Sequence, residues 1–255
     1  MNKKKKLNKL KFTIFHSLMI IIVFSLVSFS YTWSRLGNGN KIFIEISDTN
    51  IIGKDFYYSI INETIKNNKN IEDIDLKELT SVIENHPYIH VARISRHFPS
   101  KIIIDLVERS PIAIVNKDPI VLLDRYGVVL PDLGTLKSYN LPVMSNFITD
   151  PSFYPSGDVV LSEKVKECLL FIADLKFNYS QLYDNLSTLR INSEDEIELT
   201  LASDPTKIYL GSKNVYSRVN ILKKFQKKLR PRKISDFSYL DMRFKNQIIA
   251  KGRHS

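Results

Sequence analysis

The chain has 255 residues, a formal net charge of +10 and a single cysteine, Cys168. One cysteine excludes an intrachain disulfide, so packed apolar cores have to stabilise the fold. Six of the positive charges lie in the first 34 residues, and the remainder carries 31 Lys and Arg against 27 Asp and Glu. Because that remainder is only mildly basic, its overall charge does not require a polyanionic ligand.

Six lysines precede an uncharged apolar segment that runs from Phe12 to Trp33. Roughly 20 apolar residues in a helix cross the hydrocarbon core of a bilayer, so the segment predicts a transmembrane helix. Lysines beside a span favour the cytoplasmic side, and Tyr31 and Trp33 suit the opposite interface. We therefore expect a cytoplasmic basic tail at residues 1–11, with the rest of the chain outside the membrane. A domain in that location is not expected to act on nucleotides, cofactors or nucleic acids.

A cleaved signal peptide is the alternative, because Ser28, Phe29 and Ser30 form an acceptable small-x-small cleavage site. The apolar region of a signal peptide spans about 7–15 residues, and this segment is longer. Its length favours a retained anchor. Residues 34–40 are small and polar, which is typical of a linker.

Residues 41–109 predict the order β-α-α-β-β. Tyr57, Ile61 and Ile65 recur with the period of a helix, and Asp75 with Glu78 has the spacing of a capping box. Three strands with two helices on one face of the sheet would bury the apolar stripes. The predicted elements are a strand at 41–47, a helix through 56–65, a helix from 75 that ends at 85–87, and strands at 89–97 and 101–108.

Residues 110–251 predict a second domain in which short strands alternate with turns and two helices. The pattern favours an antiparallel sheet and an α+β class for the exported part. The predicted strands are 112–116, 120–124, 128–130, 186–192, 197–201, 207–210, 239–243 and 247–250, with one more at 141–144 inside the loop-rich segment 131–157. The predicted helices are 162–175 and 214–229.

A series of short motifs runs through both predicted domains. They are Pro87-Tyr88-Ile89, Ala92-Arg93-Ile94, Phe98-Pro99, Glu108-Arg109-Ser110-Pro111-Ile112-Ala113, Leu123-Asp124-Arg125-Tyr126-Gly127-Val128, Leu210-Gly211 and Leu240-Asp241-Met242-Arg243-Phe244. Each motif is weak alone, but in this order and spacing the set resembles the FtsQ/DivIB family of bacterial cell-division proteins. Phe98 stands where the family more commonly has tryptophan, and the sequence stops soon after the last predicted strand, so we expect no function in a C-terminal tail.

The resemblance implies a POTRA domain at residues 41–109 and an FtsQ-type β domain at residues 110–255. It implies a single-pass, type II protein of the cell inner membrane at the division septum. Its partners would be FtsB and FtsL, other divisome membrane proteins, and the lipid bilayer through the anchor. By binding the FtsB–FtsL coiled coil, such a protein helps to assemble and regulate septal peptidoglycan synthesis.

The sequence offers little support for catalysis or for a cofactor. It contains no nucleophile elbow, S-x-x-K, H-E-x-x-H or phosphate-binding glycine run. Cys168 lies in an apolar predicted helix, which favours a buried hydrophobe over a nucleophile. His90 and His97 are an odd number of residues apart on one strand and would face opposite sides, and Pro87 separates His86 from any helix shared with them. We expect surface histidines, no metal site, no cofactor and no small-molecule substrate.

A run of basic residues accompanies the predicted helix at 214–229, with no acidic residue between them. One interpretation is contact with anionic lipid head groups or with an acidic partner. The other is the solvated face of an amphipathic helix, which the apolar stripe through Val219 and Leu222 favours. The basic residues are Arg218, Lys223, Lys224, Lys227, Lys228, Arg230, Arg232 and Lys233.

The last predicted hairpin is the candidate partner-binding surface, because a C-terminal strand at a sheet edge accepts a partner strand through its backbone. An ordinary sheet edge, with its aromatic residue folded over the core, is the alternative. The family resemblance implies that the arginine and aromatic of this hairpin bind FtsB. The candidate residues are Arg243, Phe244, Asn246, Ile248 and Ile249. On this interpretation Phe244→Ala or Arg243→Glu removes partner binding and leaves the fold stable.

The strand from Val91 to Arg96 corresponds to the region that the family links to septal recruitment, with Val91, Ile94 and Arg96 as candidates. Two other functions compete with the scaffold. A POTRA-type chaperone or assembly module for exported proteins would usually carry several repeats and a barrel. A membrane-anchored cell-wall hydrolase would need a clustered catalytic or metal-binding set, and the sequence shows neither pattern.

Overall fold

The computed structural model describes residues 2–37, 42–68, 71–97, 100–134, 140–245 and 247–253. The chain divides into two compact units. One comprises Met1–Glu84 with Val91–Val107, and the other comprises Asn85–His90 with Glu108–Ser255.

The N-terminal helix α1 runs from Asn2 to Gly37. Its segment Ile14–Trp33 has a mean hydropathy of 2.0 and is not buried against any other part of the protein. An apolar helix of this length is suited to span a membrane. A signal sequence near the N-terminus has the same character. The structure thus contains one helix long and apolar enough to cross a membrane within the residues that it describes.

The first unit has the predicted order β-α-α-β-β, which is confirmed. Its elements are β1 Phe43–Ile46, α2 Lys54–Ile65, α3 Leu76–Glu84, all but the first two residues of β2 Ile89–His97, and all but the last residue of β3 Lys101–Glu108. The three strands lie in the order β1-β3-β2, with β1 parallel to β3. The Asp75 carboxylate accepts a hydrogen bond from the backbone N–H of Lys77 at 2.8 Å, which caps α3 as the sequence predicts.

The core of the first unit is the apolar stripe that its periodicity predicts. Tyr57, Ile61 and Ile65 of α2 are buried, as are Leu79 and Ile83 of α3. From the sheet, Ile102 and Ile104 are wholly buried. Since β2 lies at one end of the strand order, one of its edges has no neighbouring strand among the described residues. The predicted turn at Phe98 and Pro99 lies outside the residues that the structure describes.

The second unit is built on a nine-stranded sheet in the order β12-β11-β10-β9-β8-β7-β4-β5-β6. Helices α4, Glu163–Asn178, and α6, Val215–Lys228, pack against β4 and β10 respectively, and α5 is a short helix at Ser180–Asp184. The strands are β4 Pro111–Val115, β5 Val121–Asp124, β6 Val129–Leu130, β7 Val143–Ser145, β8 Leu186–Ile191, β9 Ile197–Leu201, β10 Lys207–Gly211, β11 Phe237–Asp241 and β12 Ile249–Gly252.

The α+β class is confirmed, but the sheet is mixed rather than purely antiparallel. The pairs β4–β7, β7–β8 and β10–β11 are parallel. Parallel neighbours need a crossover connection, and the chain provides one with α4 and α5 between β7 and β8, and with α6 between β10 and β11. The predicted strand at 239–243 ends earlier, at Asp241, because the Asp241 carboxylate accepts a hydrogen bond from the backbone N–H of Arg243 at 3.0 Å and turns the chain.

In the second unit, the motif that contains Arg109 contacts the motif that contains Asp124. Nη1 of Arg109 lies 2.9 Å from Oδ2 of Asp124, and the Asp124 side chain is only 2% exposed. The other carboxylate oxygen of Asp124 accepts the backbone N–H groups of Tyr126 and Val128 at 2.8 and 2.9 Å. Gly127 completes this turn with φ +82°, a conformation that side chains disfavour. These motif residues therefore hold the start of β4 to the β5–β6 turn.

Candidate partner-binding surface

The edge of the nine-stranded sheet is formed by β12, whose one neighbour among the described strands is β11. The two strands are antiparallel, with Leu240 opposite Ala250 and Asp241 opposite Ile249. Three of the four β12 residues are exposed, including Ile249 at 41%. An exposed edge strand presents backbone donors and acceptors in the spacing that an added strand needs.

A groove of about 630 Å³, here called the docking groove, lies beside this edge. One wall comes from the N-terminal half of α6 and the other from the segment that joins β11 to β12. Phe244 and Ile221 contribute exposed apolar surface, at 51% and 41% exposure. The lining residues are Asn214, Ser217, Arg218, Ile221, Met242, Arg243, Phe244, Lys245, Gln247 and Ile248.

The Arg243 guanidinium is held by two carboxylates of the same unit. Its Nε and Nη2 donate to Asp241 at 3.0 and 2.7 Å, and its Nη1 lies 3.0 Å from Oε2 of Glu196. The guanidinium also lies over the Tyr209 ring, 5.3 Å from its centroid. Since Arg243 remains 40% exposed, part of its charge still faces solvent in the docking groove.

These contacts change the ionisation of Asp241. Burial opposes its ionisation, but the hydrogen bonds from Arg243 outweigh that effect and hold the pKa of Asp241 below its ordinary value. The same side-chain hydrogen bonds raise the pKa of Arg243. The pair is therefore ionised at neutral pH and fixes the exit of the chain from β11.

Arg218 ties helix α6 to the same segment. Its Nη2 donates to the backbone carbonyl of Arg243 at 2.9 Å, and its Nη1 donates to the carbonyl of Leu210. Gly211 makes room for this side chain, because a Cβ at that position would lie 2.5 Å from Nη1 of Arg218. The φ of +72° at Gly211 also favours glycine. The Leu210-Gly211 motif thus accommodates the arginine that positions one wall of the docking groove.

The predicted partner-binding residues occupy different environments. Phe244 and Ile249 are exposed, whereas Ile248 is half-buried and packs against the core of the unit. Arg243 is engaged inside the fold, so its replacement tests folding together with binding. Asn246 lies outside the residues that the structure describes.

The predicted recruitment residues lie on β2 in the first unit. Val91 is 39% exposed and Ile94 is half-buried. The Arg96 guanidinium donates to the backbone carbonyl of Ile71 at 3.0 Å and to that of Ile74. Arg96 therefore holds the turn before α3, and Val91 is the more exposed of the two apolar candidates.

Sequence reasoning missed how Arg218, Glu196 and Tyr209 support the Arg243 segment. The sequence identifies Arg218 as one member of the basic run but does not predict its hydrogen bonds, since a backbone carbonyl acceptor has no signature in the sequence. Glu196 directly precedes β9 and Tyr209 lies on β10, and only the sheet topology brings them beside Arg243.

No catalytic arrangement emerges from the described residues. Cys168 is completely buried, and burial raises the pKa of its thiol to about 12, which opposes formation of a nucleophilic thiolate. Burial lowers the pKa of His86, because it disfavours the charged form of the imidazole. Among the residues that the structure describes, no group of three or more His, Cys, Asp and Glu could hold a metal ion.

Comparison with protein families gives two adjoining matches. Residues 110–251 match the model of the FtsQ/DivIB, C-terminal related family, and residues 59–109 match the FtsQ-type POTRA domain. The first match covers more than half of the chain. The two together include β2, the docking groove and all but the last residue of β12.

Curated relatives carry the same names. The chain is 28% identical over 182 residues to the cell division protein FtsQ of Syntrophotalea carbinolica, which covers 71% of this chain and 64% of that protein. It is 25% identical to the FtsQ of Geotalea daltonii, over 69% of this chain and 63% of that protein. A shorter match, 33% identical over 104 residues, is to the cell division protein DivIB of Clostridium tetani, over 40% of this chain and 38% of that protein. The chain thus spans a little under two thirds of the length of the first two relatives.

Proposed function

This chain belongs to the FtsQ/DivIB family of cell-division proteins, and we propose that it acts in the division machinery as a binding scaffold rather than as an enzyme. In this role it binds the FtsB–FtsL coiled coil outside the membrane and helps to assemble and regulate septal peptidoglycan synthesis. The observation that carries the proposal is the exposed edge strand β12 beside the docking groove.

A strand of FtsB adds to the outer edge of β12, and its backbone bonds set the register. Phe244 and Ile221 then supply apolar contact, and the exposed part of Arg243 supplies charge. An exposed aromatic beside an arginine is the composition of interface hot spots, where truncation costs about 2 kcal/mol or more. The supporting features are the 51% exposure of Phe244 and the exposure of three β12 side chains.

Capture of FtsB–FtsL by the full chain in detergent micelles tests this proposal. Phe244→Ala should weaken capture about 30-fold, the equivalent of 2 kcal/mol. Phe177→Ala is the matched control, because Phe177 is an even more exposed phenylalanine, at 87%, and does not line the docking groove. Equal effects of the two substitutions, or a large loss of thermal stability with Phe244→Ala, would contradict the proposed docking site.

Proline substitution in β12 separates strand addition from side-chain contact. Successive amides of a strand point to opposite sides, so Ile249→Pro and Ala250→Pro remove amides from opposite edges of β12. Strand addition requires that one of the two abolish FtsB–FtsL capture with an unchanged thermal melt. The other should weaken the pairing with β11 and lower the melt. If both prolines spare capture, the partner does not add to this edge.

We propose in addition that α1 is a retained anchor with the N-terminus in the cytoplasm and that the protein resides at the septum of the inner membrane. The support is the apolar segment Ile14–Trp33 with the lysines that precede it. Protease added to spheroplasts should digest the chain beyond residue 34 and leave the N-terminal part intact. A mature protein that begins at Tyr31 would instead identify a cleaved signal sequence.

For septal recruitment we propose the edge strand β2, with Val91 as its main contact. Val91→Glu should reduce septal localisation of a fluorescent fusion, since the side chain is 39% exposed and the substitution places a charge on that surface. Val107→Glu is the control, because Val107 is an exposed valine, at 53%, on the neighbouring strand β3. Equal loss of septal localisation in both variants would show that β2 is not specifically involved in recruitment.

A further inference from the structure

A second groove of the same unit, about 1140 Å³ in volume, shares no lining residue with the docking groove. It lies among the end of α4, the C-terminal half of α6 and the loop that follows α6. Five of its lining residues are basic, and we call it the basic groove. These five are Lys223, Lys227, Arg230, Arg232 and Lys233.

The positive charge of the basic groove exceeds the negative charge of its lining, where Asp204 is the one carboxylate against five cations. Residues 215–233 contain eight Lys and Arg and no Asp or Glu. In the described part of the chain, none of the five cations forms an ion pair with a carboxylate. Like charges gathered around one concavity repel each other, and an anionic occupant would remove that repulsion.

Helix electrostatics explain only one of the five cations. Lys227 lies in the last turn of α6, where a positive charge stabilises the helix dipole. Arg230, Arg232 and Lys233 lie beyond the helix. Two of the five are held in place by aromatic rings, because Lys223 lies over Tyr179 at 5.6 Å and Arg232 lies over Phe237 at 4.7 Å. The remaining three have exposed side chains that can reorient toward a ligand.

The rest of the lining distinguishes between classes of anion. Asp204 lies on the wall of the basic groove, where its carboxylate repels phosphate but can accept an N–H group from a peptide. The amides of Asn178 and Asn185 are already engaged in part, because Nδ2 of Asn178 donates to Asp174 at 2.6 Å and Oδ1 of Asn185 accepts the backbone N–H of Ser203 at 3.0 Å. The apolar lining residues Leu182 and Leu201 are buried, so they offer no surface that could insert into the apolar part of a bilayer.

We propose that the basic groove docks an acidic peptide segment of a protein partner, at a surface separate from β12. The arginines pair with carboxylates of the segment, and the lysines add a less directional attraction. Much of the attraction is between solvated charges, so the contact is salt-sensitive. This second contact would leave the docking groove free for another partner.

The test uses the full chain in zwitterionic detergent and a short fluorescein-labelled peptide with glutamate at every second position. Fluorescence anisotropy should show binding at low salt that disappears toward about 1 M salt, where the Debye length is about 3 Å. The same peptide with glutamine in place of glutamate should not bind. Equal binding of the two peptides would overturn the proposal, because it would not depend on charge.

A matched pair of double variants locates the contact. Lys227→Gln with Arg230→Gln removes two cations of the basic groove, whereas Lys224→Gln with Lys228→Gln removes two exposed cations of the same helix that do not line it. The groove variant should weaken peptide binding about fivefold, since each exposed charge pair contributes modestly. The control variant should change binding less than about twofold, and both variants should keep the thermal melt of the parent chain.

Equal weakening by the two double variants would overturn the proposal, since binding would then reflect the charge of α6 as a whole. Soluble polyphosphate and vesicles of phosphatidylglycerol complete the test. Groove-dependent binding of either one more tightly than the acidic peptide would also overturn it and would assign the basic groove to phosphate or to lipid head groups. Preference for the peptide, with loss confined to the groove variant, supports the proposal.

Discussion

Nη2 of Arg218 donates a hydrogen bond to the backbone carbonyl of Arg243 across 2.9 Å and joins helix α6 to the segment that leads into β12. Arg243 in turn holds Asp241 and Glu196. The two arginines therefore fix the position from which Phe244 projects. The presentation of the proposed FtsB contact depends on both of them.

Removal of the Arg218 side chain should disorder this segment more than it destabilises the fold. Arg218→Ala loses two hydrogen bonds to carbonyls, so we expect a stability loss of about 1–2 kcal/mol and weaker capture of FtsB–FtsL. Arg218→Lys keeps the charge but not the two-pronged donor, and capture should recover only in part. Thermal melts and capture assays measure the two effects. Unchanged capture by Arg218→Ala would show that this contact does not position the docking groove.

Charge reversal at Arg243 should destabilise the protein as well as its complex. Arg243→Glu places a third carboxylate beside Asp241 and Glu196, so we expect a loss of about 2 kcal/mol, which corresponds to a fall in Tm of about 6 °C. The structure thus changes the expectation from sequence that this substitution affects binding alone. Arg243→Lys, which keeps the charge, should lose less. An unchanged melt for Arg243→Glu would contradict the importance of these ion pairs to the fold.

Acid should remove the contribution of Asp241. Its pKa is below the ordinary value in the folded protein, so the folded state binds its proton less readily than the unfolded state does. The resulting stability is present above the unfolded-state pKa of about 3.9 and is lost as pH falls through the lower folded-state pKa. The stability difference between the parent and Asp241→Asn should therefore shrink below about pH 4 in urea titrations. A difference that stays constant from pH 7 to pH 3 would contradict this linkage.

The Arg109–Asp124 pair should be far more important to folding than to binding. Asp124→Ala leaves Arg109 without its carboxylate and the turn amides of Tyr126 and Val128 without an acceptor. Breaking one partner of a buried ion pair costs about 3–5 kcal/mol. Glu194→Ala, at an exposed position of the same unit, should change stability by less than about 0.5 kcal/mol. Similar melting temperatures for the two variants would exclude a structural role for the motif aspartate.

Local periodicity was sufficient to predict much of this fold. The buried stripe of Tyr57, Ile61 and Ile65 and the cap at Asp75 follow from side-chain spacing, which is a local property of the chain. The parallel pairs β7–β8 and β10–β11 were not predictable in the same way, because pairing direction depends on where a crossover helix returns the chain.

The candidate surface was predictable only in outline. The sequence places Phe244 after the strand that includes Asp241, and the structure gives Phe244 an exposed position. The contacts of Arg218 with a backbone carbonyl and of Arg243 with Glu196 were not foreseeable, because a carbonyl acceptor has no sequence signature and Glu196 is 47 residues from Arg243 in the chain. An arginine in a sequence has the same appearance whether it binds a partner or holds its own fold.

Hydrogen exchange of the full chain, measured with and without FtsB–FtsL, is the most direct test of strand addition at β12. If a partner strand adds to this edge, the backbone amides of residues 247–253 should gain protection, because the outward-facing amides of β12 become hydrogen-bonded. The opposite edge strand β6, Val129–Leu130, serves as the internal reference and should be unchanged. Unaltered exchange at residues 247–253 in a saturated complex, or protection at β6 instead, would contradict partner docking at β12.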